Sequence, residues 1–175
     1  MNNETISLAE AIKMAVDLEK NGQAFYIQAA ETAQNESGKK IFAQLAKEEM
    51  QHLATFQTML NHSSEIGDWR ELVKGYPAPG RQVPVFALRK TKPDVAKART
   101  DEIEALRIAM KQEREAIAFY ERIANQAKDS ATTKIFDFVR EQETYHYDLL
   151  QAELDHIQQT GFWFDRAEFR MDGKF

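Results

Sequence analysis

From Leu8 onward the apolar residues Ile12, Ala15, Val16, Leu18, Phe25 and Ala29 return at steps of three and four, which is the period of an amphipathic helix. Ser7 and Glu10 bracket its start as a capping box would, so a first helix is expected over 8–34. NESG (35–38) interrupts the pattern, and KKIFAQLAKEEMQHLATFQTML resumes it to about His62. Residues 63–99 contain three of the four prolines within YPAPGRQVP, and TKP beyond them. They predict a long connection in which VFALRK could form a short turn. A third helix is expected over about 101–128 and a fourth over about 130–160, with Gly161 placed as a C-cap glycine. The tail 161–175, GFWFDRAEFRMDGKF, carries too much aromatic surface to stay wet. It should cover the bundle or meet a second subunit, with Trp69 joining it.

The pattern occurs twice. At an offset of 94 residues, AEAIKMAVDLEKNGQAFY (9–26) falls on IEALRIAMKQEREAIAFY (103–120), and the two KIF triplets coincide. Residues 10–62 match 104–156 at 17 of 53 positions, and all four histidines pair, His52 with His146 and His62 with His156. A helix pair used twice is the reading that follows. The whole chain, 1–175, is expected to be one all-α domain: helix pair 8–62, crossover 63–99, helix pair 101–160 and tail.

Composition narrows the chemistry. The 175 residues contain no cysteine, which removes disulfides, thiolate zinc sites, iron–sulfur clusters and a cysteine nucleophile. A net charge of −5 disfavours nucleic acid and anionic membranes as partners. No apolar run reaches the roughly 20 residues of a membrane span, and MNNETISLAE lacks the basic-then-apolar pattern of a secretory signal. A cytoplasmic protein is expected. Any metal must be held by carboxylates and imidazoles.

Two such sets exist. Glu49 and His52, and again Glu143 and His146, are Glu-x-x-His pairs that lie one turn apart on one helix face. Glu49 follows Leu45 by four residues and Phe42 by seven; Glu143 follows Val139 and Phe136 by the same steps, so both sit on the apolar stripe. Glu19 and Glu113, each followed six and seven residues later by Phe-Tyr, add a second repeat-related pair on inward faces. Four carboxylates carry −4, which an apolar core tolerates only with cations present. Two divalent ions balance that charge, and oxygen ligands with two imidazoles suit iron or manganese. Tyr26 and Tyr120 share faces with Glu19 and Glu113. They either hydrogen-bond a ligand carboxylate from outside the first shell or serve as plain core aromatics. His62 and His156 lie ten residues beyond the motif histidines, roughly 15 Å along a helix, and are expected to be cations near helix C-termini. Glu48, whose repeat mate is Gln142, is expected to be solvated.

Paired E…FY helices alternating with E-x-x-H helices, separated by a long crossover, resemble the rubrerythrin branch of the ferritin-like superfamily. The resemblance covers about residues 7–160. It implies a left-handed four-helix bundle around a di-iron site. Glu19 and Glu113 would be terminal carboxylates, Glu49 and Glu143 would bridge, and His52 and His146 would cap one iron each. It further implies reduction of hydrogen peroxide or dioxygen at two irons per chain, manganese being the other metal that such ligands accept. The alternative is metal handling, through ferroxidase activity or simple iron or manganese binding. A bundle that has kept the ligands without turnover is a third reading; a hydroxylase would need a substrate pocket that the sequence does not reveal. The chain departs from the family at two points. It lacks the four-cysteine rubredoxin-like domain, so electrons would come from a separate donor protein. It also has Ala116 where rubrerythrins carry an additional glutamate, and Glu115 is rotated away from that direction. A homodimer is expected, although one chain already supplies the whole ligand set.

Overall fold

A computed structural model describes residues 8–61, 96–128 and 130–163. These form four helices, α1 (Leu8–Thr32), α2 (Glu36–Asn61), α3 (Ala96–Gln126) and α4 (Ser130–Thr160), with no strand among the described residues. The third helix starts at Ala96 instead of near Asp101. Ala-Lys-Ala-Arg are good helix formers and, once past Pro93, nothing breaks the pattern. Ser7, His62, Trp69 and the tail beyond Trp163 lie outside the described residues.

Local signals set the ends. Asn35 caps α2, its Oδ1 accepting from the Ser37 backbone N–H at 2.8 Å. Gly161 ends α4 with φ of 80° and a 2.8 Å bond from its N–H to the Ile157 carbonyl, a left-handed conformation that favours glycine.

Two apolar clusters fill the bundle. One draws on Tyr26 and Ala29 of α1, Ile41 to Leu45 of α2, Leu106 to Met110 of α3 and Leu149 to Ile157 of α4. The other draws on Ile12 to Val16 of α1, Phe56 and Met59 of α2, Phe119 to Ile123 of α3 and Ile135 to Val139 of α4. The order in which each helix visits the clusters gives its direction: α1 runs antiparallel to α2, and α3 antiparallel to both α1 and α4. It follows that α2 and α3 are parallel, so α2 ends at the opposite end of the bundle from where α3 begins. Consecutive helices that run parallel need a connection spanning the bundle, as in ferritin-like bundles. The residues between the clusters are Glu19 on α1, Glu48 to His52 on α2, Glu113 on α3 and Glu143 to His146 on α4. The polar slab is thus sealed above and below by apolar side chains.

One end is tied by Glu102 of α3. Its Oε1 accepts from the Gln34 and Asn35 backbone N–H groups at 2.8 and 2.9 Å, and its Oε2 accepts from Trp163 Nε1 at 2.6 Å. The indole lies edge-on to Phe42, with centroids 5.6 Å apart. This start of the aromatic tail therefore packs on its own bundle. A Cβ at Gly38 would come within 2.9 Å of the Trp163 ring. Glycine to alanine within a helix ordinarily stabilises by about 1 kcal/mol. Gly38→Ala should instead destabilise, by about 1–3 kcal/mol, as overpacking does. Urea denaturation of the two forms measures this, and a gain in stability would contradict it.

Candidate metal centre

Six side chains predicted from the two repeats converge in the slab. Ligand-competent atoms of Glu19, Glu49, His52 and Glu143 form one group, and those of Glu49, Glu113, Glu143 and His146 form another, each within 4.8 Å. Glu49 and Glu143 belong to both groups. All six residues are buried, with exposures of 4% or less. The i, i+3 spacing does what helix geometry requires: Glu143 Oε2 lies 2.9 Å from Nδ1 of His146, and its Oε1 lies 3.0 Å from Nδ1 of His52 across the bundle. The two imidazoles stack with centroids 5.5 Å apart.

Nδ1 of each histidine faces the carboxylates. For His52 these are Glu143, Glu19 at 3.3 Å and Glu49 at 3.6 Å; for His146 they are Glu143, Glu49 at 3.2 Å and Glu113 at 3.7 Å. Glu19 Oε2, both oxygens of Glu143 and Nδ1 of His146 are buried without a hydrogen bond of sound geometry. Convergent buried carboxylate and imidazole atoms without well-placed partners are costly, and a cation among them would satisfy several at once. The donor set, hard oxygens with two imidazoles, fits iron or manganese.

The tyrosines settle between the two sequence readings. Tyr26 of α1 donates to Glu113 Oε1 on α3, and Tyr120 of α3 donates to Glu19 Oε1 on α1. The bonds cross from one hairpin to the other, which spacing within a repeat could not show. Burial, and then the facing carboxylate, pushes both phenols well above their ordinary value, so they stay protonated donors.

Glu48 corrects the sequence reading. It is buried, and its Oε2 stands 3.0 Å from Nε2 of His146. It lies four residues before His52 on the same side of α2, a spacing that could have flagged it. His156 does lie near the C-terminus of α4, as expected, but burial lowers its pKa from the ordinary histidine value, which disfavours the cation expected there.

A cavity of about 420 Å³ opens onto the cluster between α1 and α3. Glu49, Glu113 and Glu143 form part of its wall, Tyr26 another part, and neither histidine lines it. Gly22 and Ala116, each three residues after a candidate terminal carboxylate, leave it room. Even a Cβ at Gly22 would lie 3.4 Å from the Glu49 carboxylate. Asp17, Asn21 and Glu115 also line it, with Met14 and Leu18 supplying apolar wall.

An antiparallel four-helix bundle with a buried carboxylate–imidazole cluster at mid-height defines a ferritin-like carboxylate protein. The family model for rubrerythrin matches residues 10–154, and the chain belongs to the rubrerythrin family. It is similar to the solved structure of a hypothetical protein from Pyrococcus furiosus at 23% identity, with a TM-score of 0.64, over 88% of this chain and 92% of that one. That likeness concerns the fold alone. No curated protein matches the chain. Family and buried cluster together support a di-iron protein. No described helix is long and apolar enough to cross a membrane.

The electrostatics of the metal-free cluster make a prediction. Burial, followed by the charges of Glu49 and Glu143, raises Glu19 well above the carboxylate range, and burial followed by Glu143 pushes Glu113 up to about 8. For Glu49, burial is outweighed by the proton shared with Glu19 and by the histidines, so it is held well below its ordinary value. Burial would lower both histidines, but the surrounding carboxylates raise them. In this state the folded chain holds protons that the unfolded chain releases. Above the ordinary carboxylate range, stability must therefore fall as pH rises toward 8. Thermal melts of chelator-treated protein from pH 5.5 to 8.5 should show that fall, and melts of metal-loaded protein should not. Parallel slopes for the two forms would refute it.

Proposed function

We propose that the chain is a non-haem di-iron oxidoreductase that reduces hydrogen peroxide or dioxygen. Glu19, Glu49, His52, Glu113, Glu143 and His146 would hold two irons per chain, and a separate donor protein would re-reduce them. The observation that carries this reading is the cavity that reaches the two shared carboxylates on a side free of histidine.

Glu19 with His52, and Glu113 with His146, would each serve one ion, while Glu49 and Glu143, which belong to both groups, would serve both. Bound ferrous ions would supply the two electrons needed to cleave an O–O bond, as in H2O2 + 2e⁻ + 2H⁺ → 2H2O. The chain supplies position. Tyr26 lines the cavity with its hydroxyl donating to Glu113, and would hold that carboxylate in place where the oxidant enters. The apolar clusters close the slab above and below, which leaves the cavity as the lateral route to the cluster.

Anaerobic reconstitution with Fe(II), then rapid mixing with peroxide or dioxygen separately, tests the reading. Two irons per chain oxidised quickly by either oxidant, with turnover when an electron donor is added, is the expected result. Oxidation without turnover would point instead to ferroxidase activity in metal handling.

Substitutions locate the site. Glu143→Ala should lose both irons, because its two oxygens face both histidines; Tyr26→Phe should keep both. Full iron retention in Glu143→Ala, read by elemental analysis, would sink the bridging assignment. Ala116→Leu should keep the irons while slowing their oxidation by peroxide about tenfold or more, equivalent to about 1.4 kcal/mol on the barrier. An unchanged rate would show that the oxidant enters by another route.

A further inference from the structure

Across the 94-residue repeat, the six ligand candidates pair as identical residues, and so do the two tyrosines. The symmetry breaks at the position just before each shared glutamate. Glu48 of α2 and Gln142 of α4 are repeat mates, both buried, at 7% and 3% exposure. One is a carboxylate and the other a neutral amide.

Glu48 reaches across to the other hairpin. Its Oε2 is 3.0 Å from Nε2 of His146, while its Oε1 accepts from Gln44 Nε2 at 2.6 Å. The opposite ring nitrogen, Nδ1, faces Glu49, Glu113 and Glu143. A carboxylate at Nε2 takes the imidazole N–H and leaves the Nδ1 lone pair aimed into the cluster. It also pushes electron density through the ring and makes Nδ1 a stronger donor to a metal. By the repeat, Gln142 is the residue expected in the matching relation to His52. An amide oxygen accepts a hydrogen bond more weakly than a carboxylate does, so His52 receives less of that push.

We propose that Glu48 makes the two metal positions unequal: the one served by His146 binds a divalent ion more tightly and releases its electron to an oxidant more readily than the one served by His52. Glu48 is a positioning residue, acting through His146. The proposal rests on the six-residue metal site proposed above. It further implies two distinct one-electron potentials in the iron-loaded protein, the iron served by His146 being the harder to reduce.

Stepwise titration of the chelator-treated full chain with Co(II) tests this, paired with a reductive titration of the iron-loaded protein. Outer-sphere partners of metal-bound histidines typically change affinity by about 10–100-fold. Wild type should bind two Co(II) with well-separated affinities. Glu48→Gln should weaken the tighter step about 10-fold or more and bring the two steps together. Gln142→Glu should also bring them together, by strengthening the weaker step. The swap Glu48→Gln/Gln142→Glu should restore the separation. The spacing between the two one-electron steps of the iron-loaded protein should narrow, narrow and recover in the same order, which a loss of folding stability alone would not produce. If every variant binds two Co(II) with the wild-type separation, the proposal falls and the metal site stands. If wild type binds no divalent metal, the site itself has failed and the proposal goes with it.

Discussion

Four glutamates and two histidines buried at the middle of an apolar bundle are the constraint on which the rest of the structure depends. Glu19, Glu49, Glu113 and Glu143 cannot all stay ionised there without cations, because burial and mutual repulsion act together. Without metal, the cluster can relieve that charge only by taking up protons. The rise of Glu19 and Glu113 and the charging of the histidines express this. Any metal bound there would therefore link its own chemistry to fold stability through the same six side chains.

The helices accommodate the cluster by enclosing it. Two apolar layers flank the polar slab, each built from all four helices. The crossed tyrosine bonds then join the hairpins at the level of the charges: Tyr26 reaches Glu113 and Tyr120 reaches Glu19. Tyr26 stacks on Phe42 of its own hairpin, while Tyr120 packs against Phe136 of its own hairpin and stacks on Phe56 of the other. A carboxylate on one hairpin is thus oriented by a ring anchored in the other, so the ligand geometry depends on correct docking of the two halves. The end clasp formed by Glu102 and Trp163 joins the α1–α2 turn, α3 and the segment after α4.

Duplication produces near-symmetry, and function resides as much in the departures from it. Glu48, which contacts His146, has a neutral amide, Gln142, as its repeat mate. Gly22 and Ala116 replace bulk with space beside the shared carboxylates and keep a cavity open on the side away from the imidazoles. Where other rubrerythrins carry an additional glutamate, this chain has a methyl group.

The helices, their order and the six candidate ligands were legible in the sequence because each depends on spacing along one helix. Three- and four-residue apolar steps define a face, Glu-x-x-His places two donors on it, and a repeat offset relates the faces. The crossed Tyr–Glu bonds, the burial of Glu48 against His146, the cavity between α1 and α3 and the indole seated over Gly38 were not legible. Each joins residues from different helices, at distances fixed by how the hairpins dock and not by periodicity. Glu48 shows the difference most clearly. Read on its own helix it is one more glutamate beside a ligand, and only the approach of α4 gives it a histidine to hold.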